Sequence, residues 1–415
     1  MAVRLEITER SRDTHARRGR VHTPHGSFET PAFMPVGTKA SLKGLVPPLV
    51  RATGSEIVLS NTYHLMLRPG ADLIARRGGL HRFMGWPGPI LTDSGGYQVY
   101  SLSDIGAADD DGVAFKSVVD GSTIKMTPEL AMDVQQKLGA DIVMAFDDCP
   151  PSIDPKTSNA ARERMMATKT GVFKKNYDHS VRLDTSMERT ARWLERCKSA
   201  HAGFEETQAL FGIVQGGADL DRRSRSAEQI CNVELPGYAI GGVAVGEGFE
   251  EIVEVVRHTA PLLPEAKPRY LMGVGYEKDI LAAVLAGVDM FDCVLPTRNG
   301  RSANAFTRTG QIRLKNAKFA DDDGPLEEGC DCLACDPASH AWETIEGRPF
   351  SRAYLRHLFL ADEMLGPILV SLHNVRHFQR LMVDIRAAIR EDGWLDLARR
   401  WPVCGPALSG LTPPA

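Results

Sequence analysis

The chain has 415 residues, 43% of them hydrophobic, which is enough for one large core or two smaller ones. Its apolar runs fall far short of the ~20 residues of a membrane-spanning helix, so no membrane partner is expected. A formal net charge of −4 leaves any nucleic-acid partner to a local basic patch, and eight cysteines in this length do not form a disulfide scaffold.

Residues 1–11 alternate apolar Val3, Leu5 and Ile7 with charged Arg4, Glu6 and Glu9. The alternation predicts a strand and lacks the features of a signal peptide, so a cytoplasmic location is expected. After it one pattern recurs: a short apolar run, a polar or Gly-rich cluster, then a helical stretch. The runs fall at 31–36, 56–60, 89–92, 141–146, 210–214, 238–240, 270–272 and 290–291. Near-continuous apolar runs of this length are the mark of strands buried on both faces. Thr127-Pro128-Glu129 opens a helix with an N-cap and an early proline, and 251–263 and 278–287 carry apolar residues at helical spacing.

Eight such units predict an α/β fold, a (β/α)8 TIM barrel, with an open doubly wound sheet as the alternative. In a barrel the polar clusters at the ends of the runs face one mouth, so Asp93, Asp147, Gln215, Gly242 and Asp292 converge there. Two stretches depart from the pattern. Residues 104–127 predict a small hairpin insertion, and 321–370, which holds a cysteine cluster, predicts a zinc-binding subdomain near the C-terminus. The division expected is a catalytic barrel over 1–320, the subdomain over 321–370, and a helical part over 371–415 that completes both, with a final helix over 372–390.

Several stretches carry chemistry. The run ending in Asp292 is stopped by Pro296, after which a compact loop is expected to present Arg298 and Arg301 around Asn299-Gly300. A carboxylate that can attack carbon, beside two guanidinium groups, points to chemistry on a nucleotide; the plainer reading is a loop acid paired with Arg298. Asp93-Ser94-Gly95-Gly96-Tyr97 sets an acid beside glycines that let a flat ligand approach, with Tyr97 able to stack on it; a capping Asp in a tight turn is the alternative. Asp147 can accept from the amino edge of guanine, Gln215 can donate to its carbonyl side, and Gly242 offers an unobstructed backbone N–H. Asp148, adjacent to Asp147, makes two acids at a buried strand end, a costly placement.

Met272 reads as core or ligand contact, Glu247 as an acid that orients a peptide or meets an amine, or as a surface residue, and 169–182, with Arg182, as a contact to a phosphate backbone or, more simply, a solvated helix end. Cys330-x-Cys332-x-x-Cys335 supplies three thiolates suited to tetrahedral zinc, with His340, His357, His373 and His377 as candidates for the fourth ligand. Three cysteines and a histidine close the site, so the zinc would be structural.

Taken in order, Asp93 to Gln98, Val214 to Gly217, Gly241 to Glu247, Tyr270 to Gly275 and Phe291 to Arg301, followed by the three-cysteine cluster, resemble the queuine/preQ1 tRNA-guanine transglycosylases over residues 33–379. That resemblance implies a pentosyltransferase of queuosine biosynthesis. It would exchange guanine at the wobble position of tRNAs with GUN anticodons (Asp, Asn, His, Tyr) for a 7-deazaguanine. By the same resemblance Asp292 is the nucleophile that forms a covalent tRNA adduct, and Asp93 is the general acid/base. Asp93, Ser94, Gly95, Gly96, Asp147, Gln215, Gly242 and Val243 surround the base, and Tyr97 and Met272 sandwich it. Gly273, Val274, Gly275, Tyr276, Glu277, Lys278 and Asp279 form a loop that binds the tRNA, together with Thr297, Arg298, Asn299, Gly300 and Arg301.

Cys330, Cys332, Cys335 and His373 would then hold one structural Zn2+ per chain. A homodimer is also implied. Cys149 and Val245 follow the bacterial pattern, which takes preQ1 and not queuine. The chain departs from the family at 336–349, an insertion that lengthens the gap to His373 and makes His340 its competitor. Two rivals are a barrel N-glycoside hydrolase, disfavoured by the arginines and the cysteine cluster, and a non-catalytic tRNA-binding paralogue, disfavoured by the presence of both Asp93 and Asp292.

Overall fold

The structure is a computed structural model of the chain, and it describes residues 2–98, 108–154, 177–243, 247–340 and 347–409. The N-terminal strand forms as β1 (Arg4–Arg10), with alternate residues turned outward. It pairs antiparallel with β2 (Arg17–Thr23), which turns back into β3 (Gly26–Thr30). This three-stranded sheet is separate from the barrel. The reading from sequence missed β2 and β3, whose mixed charged and small residues carry little alternation.

The barrel itself closes from eight parallel strands, and all eight apolar runs contribute one. They are β4 (Ala32–Gly37), β5 (Val58–Ser60), β6 (Ile90–Thr92), and, beyond a small insertion, β9 (Ile142–Met144), β10 (Ala209–Val214), β11 (Gly237–Ile240), β12 (Arg269–Leu271) and β13 (Met290–Cys293). Strand β13 pairs with β4 to close the ring. The insertion is the expected hairpin, β7 (Val113–Lys116) and β8 (Thr123–Met126), of which residues 104–107 lie outside those described. The helix opened by Thr127 runs Pro128–Leu138, with the Thr127 hydroxyl accepting from the Leu130 N–H. The other two helices expected from periodicity run Phe249–Thr259 and Glu277–Leu285.

The bottom of the barrel is locked by two buried carboxylates. Asp289, just before β13, takes a two-pronged ion pair from buried Arg17 of β2, at 2.8 and 2.6 Å. Asp141, just before β9, accepts from the ring nitrogens of stacked His25 and His81 at 2.9 and 3.0 Å. It also accepts from the N–H groups of His25 and Ile90. Four donors satisfy one carboxylate, so this His-His-Asp cluster is a hydrogen-bonded latch between hairpin and barrel.

Beyond the barrel, β14 (Asn304–Thr307) and β15 (Gly310–Arg313) form a hairpin, and the cysteines pack with Leu326, Leu355, Leu358 and Leu369 in a small separate core. The last long helix is Leu365–Glu391, a turn or more longer at its start than the apolar periodicity indicated.

Two expectations require correction. Residues 295–301 are not a loop but a helix, Leu295–Arg301, because Pro296 occupies its first turn, where a missing N–H costs nothing. Gly300 is there because a side chain would lie 2.6 Å from the Ser371 hydroxyl and 2.8 Å from its backbone, so the helix can press onto Leu365–Glu391 only without one. Likewise the stretch 273–279 is a loop only as far as Tyr276; Glu277, Lys278 and Asp279 are the first turn of Glu277–Leu285.

Candidate functional site

Strand β6 is buried throughout and delivers Asp93 from its end into the mouth. One carboxylate oxygen accepts from the Asn61 amide at 2.5 Å and the other from the Thr62 N–H at 2.9 Å. Asn61 also caps its own helix, Thr62–Leu67, by accepting from the His64 N–H, which fixes its position. Burial pushes the Asp93 carboxyl up to about 7 and the charge of Asp292 adds to the shift, while the Thr62 and Asn61 donors oppose it. A carboxyl balanced there can give or take a proton at neutral pH.

Asp292 lies on β13. Tyr270 of β12 stands beside Met290 in the parallel ladder, so its side chain shares a face with Asp292, two residues further on. The phenol donates to Asp292 Oδ1 at 2.6 Å, and the Gly273 N–H donates to the same oxygen at 2.7 Å. Burial raises the Asp292 carboxyl above its ordinary value, and these two donors pull it back. The buried Tyr270 phenol is itself pushed far up, by burial and then by the neighbouring Asp292 charge, so it stays a donor. Among the described residues the second oxygen of Asp292 accepts no hydrogen bond.

Across the mouth Asp147 follows β9. Its two oxygens accept from the Ser94 hydroxyl at 3.0 Å and the Gln215 amide at 2.7 Å. Burial raises it to about 6. Its neighbour Asp148 is a different kind of acid: Arg182 grips both its oxygens at 2.9 and 2.5 Å and Arg189 adds a third bond at 2.6 Å. The buried pair of acids therefore divides into one neutralised structural carboxylate and one that faces the site. Arg182, read from sequence as a solvated helix end, belongs to that ion pair; residues 169–176 lie outside those described.

The glycines make close approach possible. A side chain at Gly96 would lie 2.7 Å from Asp147, and one at Gly242 would collide with the Gln215 amide oxygen. Met272 lies beside Gly241, its sulfur 3.6 Å from where a side chain there would start. Tyr97 is 46% exposed, as a stacking ring needs to be.

The RNA-facing expectations divide by burial. Arg298, Tyr276 and Gly273 are exposed, and Lys278, Asn299 and Arg301 are half-buried. The side chains of Val274, Glu277, Asp279 and Thr297 turn inward, and Gly275 and Gly300 are buried as well. Glu277 bonds to the ring of buried His377 at 2.8 Å, so it holds its helix against Leu365–Glu391 and is not available to a ligand. Tyr270, Asn61 and Thr62 were not singled out from the sequence. Tyr270 carried a weak signal, as a polar-tipped ring in an otherwise apolar strand, and Asn61 a stronger one, as an amide at the end of β5.

The cysteine cluster is closed by His373. Its Nδ1 lies 3.6, 3.4 and 3.5 Å from the sulfurs of Cys330, Cys332 and Cys335. A tetrahedral ion with metal–sulfur bonds of about 2.3 Å and a metal–nitrogen bond of about 2.0 Å sets sulfur and nitrogen roughly 3.5 Å apart, so the donor set fits a metal ion such as zinc. The other ring nitrogen, Nε2, donates to the Phe306 carbonyl at 2.8 Å, and with the proton on Nε2 the Nδ1 is bare for the metal. Of the competing histidines, His340 bonds to the Asp331 carbonyl, His377 to Glu277, and His357 is exposed.

A pair of carboxyl groups, one accepting from two donors on a single oxygen and one poised between acid and base, suits displacement at a glycosidic carbon; the Asp147–Gln215 edge suits a flat heterocycle. Comparison with known proteins shows the family. The queuine tRNA-ribosyltransferase family matches residues 12–180 and 173–402. A queuine tRNA-ribosyltransferase of Symbiobacterium thermophilum is 51% identical over 94% of this chain and 88% of its own, and one of Thermus thermophilus is 50% identical over 94% and 92%. A third, from Desulforamulus reducens, is 47% identical over 95% and 97%. The chain belongs to the queuine tRNA-ribosyltransferases, the tRNA-guanine transglycosylase enzymes.

Proposed function

We propose that the protein exchanges guanine at the wobble position of GUN-anticodon tRNAs for preQ1, through a covalent Asp292–tRNA intermediate. The observation that carries the reading is the contrast between the two carboxyl groups at the mouth: Asp292 held by Tyr270 and Gly273, and Asp93 raised to about 7. A carboxylate oxygen of Asp292 bonds to the ribose C1′ as the C1′–N9 bond breaks, and the electron pair leaves with guanine. Asp93, in its acid form, protonates the departing base. The incoming base returns a proton to Asp93, attacks C1′ and expels Asp292. The bond made is equivalent to the bond broken, so no energy source is needed. The target base must leave the stack, which an unpaired anticodon loop allows at low cost.

Asp147, Ser94 and Gln215 would hold the base edge, Gly95 and Gly96 would let it approach, and Gly242 and Val243 would meet it with backbone. Tyr97 and Met272 would cover its faces. Tyr276, Lys278, Arg298 and Arg301, exposed or half-buried, would be the side chains that meet the RNA. Preference for preQ1 rests on Cys149, which is buried against Gln215; Val245 lies outside the described residues. Cys330, Cys332, Cys335 and His373 would hold a structural zinc that ties Leu365–Glu391 to the cysteine loop. Among the described residues no helix is long and apolar enough to cross a membrane, and we place the enzyme in the cytoplasm as a homodimer.

Labelled guanine incubated with a GUN tRNA transcript tests the reading: label enters the RNA, and preQ1 competes better than queuine. Release of free guanine with no incorporation would identify a hydrolase instead. Asp292→Ala should abolish a denaturation-resistant protein–RNA adduct while tRNA still binds; an adduct that survives places the nucleophile elsewhere.

A further inference from the structure

Behind the base-holding side of the mouth lies Arg223, a fully buried residue of the helix Leu220–Cys231. Its guanidinium donates to four backbone carbonyls: Nε to Gly217 at 2.8 Å, Nη1 to Val214 at 3.0 Å and Gly241 at 2.7 Å, and Nη2 to Gly242 at 3.1 Å. Val214 ends β10 and Gly241 follows β11, so one side chain binds the two strand ends that carry Gln215 and Gly242. Burial draws the group down to about 10, which leaves it charged at neutral pH, and the negative charge of Glu247 supports it. A cation buried against carbonyls is a costly way to join two loops that strand pairing already joins.

The geometry of the peptide suggests what the cation is for. In a trans peptide the C=O and N–H point in opposite directions. With the Gly241 and Gly242 carbonyls drawn onto Arg223, the N–H groups of Gly242 and Val243 point away from it. Among the described residues these two N–H groups carry no hydrogen bond. Gly242 holds a left-handed φ of +60° and lies against the Gln215 amide, which is bonded to Asp147. The two donors thus sit beside the groups expected to hold the base.

We propose that Arg223 is a positioning residue for base selection: by gripping the Gly241 and Gly242 carbonyls it presents the Gly242 and Val243 N–H groups as a donor pair for the carbonyl oxygen of a purine-type base. This rests on the base-exchange reading. An equally suitable control exists at the other end of the barrel, where buried Arg269 donates to the Leu263 and Gly287 carbonyls far from the mouth.

Base binding is measured by calorimetry with guanine and with 2-aminopurine, which lacks the carbonyl, and turnover by guanine exchange into tRNA. The wild type should bind guanine at least ~10-fold more tightly than 2-aminopurine. Arg223→Lys and Arg223→Gln should raise Kd and KM for guanine about ten-fold, leave KM for tRNA and binding of 2-aminopurine within about two-fold, and so cut the discrimination about ten-fold. Arg269→Lys, at a comparable loss of Tm, should keep it. Equal binding of the two bases by the wild type overturns the proposal without any variant. So does an Arg223 variant that loses guanine and tRNA affinity together, or only as far as Arg269→Lys does. A wild type that binds guanine but incorporates none defeats the exchange reading alone, because the binding comparison still reads Arg223.

Discussion

The Tyr270 hydroxyl donates to Asp292 Oδ1 at 2.6 Å across adjacent barrel strands, and the Gly273 N–H reaches the same oxygen. One oxygen of the carboxylate is thereby occupied, and on the proposed base-exchange reading the other is the one that reacts. The phenol also lowers the cost of holding a charge in a buried place. Tyr270→Phe removes one of the two donors and is predicted to lower kcat of base exchange by roughly 10- to 100-fold, the worth of a hydrogen bond to a charged group. Since that donor pulls the Asp292 carboxyl down, its loss moves the acid limb of the pH–rate profile upward. A profile that keeps its acid limb in place would show that the phenol does not stabilise the reacting anion.

Asp93 supplies a second prediction, on stability. Its folded-state value near 7 lies above the unfolded carboxyl value, so the folded protein binds the extra proton. The resulting penalty is absent below the unfolded value of about 4, grows between pH 4 and 7, and is complete above pH 7. Asp93→Asn removes the titration. The stability of the variant relative to the wild type should therefore rise with pH, by about 2 kcal/mol between pH 4 and 8 once solvent at the mouth is allowed for. Urea unfolding at the two pH values measures it, and a difference independent of pH would contradict the raised carboxyl. Exchange activity should be lost at all pH values.

The cysteine cluster predicts metal content. Cys332→Ala or His373→Ala should lose about one zinc per chain and lower Tm by several degrees, because metal binding is folding free energy. His340→Ala should keep the metal, since that ring bonds to the Asp331 carbonyl and lies outside the cluster. Metal analysis of the three variants checks this, and zinc lost from His340→Ala would move the fourth ligand.

Gly300 predicts an inverted helix propensity. Within a helix, glycine to alanine ordinarily gains up to about 1 kcal/mol. Here the added methyl would meet Ser371 backbone atoms at 2.8 Å, so Gly300→Ala should cost about 1–3 kcal/mol in urea unfolding. It should also weaken tRNA binding, because the helix carries Arg298 and Arg301. A stabilised variant would mean that the two helices are not pressed together.

What could be read locally was determined by the sequence. Each barrel strand is a short apolar run because both its faces are buried, and each run ends where the backbone meets the mouth. Asp93, Asp147, Gln215 and Asp292 were therefore legible as a set, and so was the cysteine cluster, whose three sulfurs lie within six residues. What depended on contacts between distant residues was decided only by the tertiary structure. Asn61 meets Asp93 from 32 residues away, Ser94 meets Asp147 from 53, and His373 meets Cys330 from 43. No local pattern selects His373 over His340, pairs Asp148 with Arg182, or turns Arg223 inward. Nor could it show that Gly300 belongs to a helix, since the contact that demands a glycine is with Ser371. Periodicity records which face of an element is buried; hydrogen-bond partners are chosen by which buried faces meet, and that is fixed only when the barrel closes.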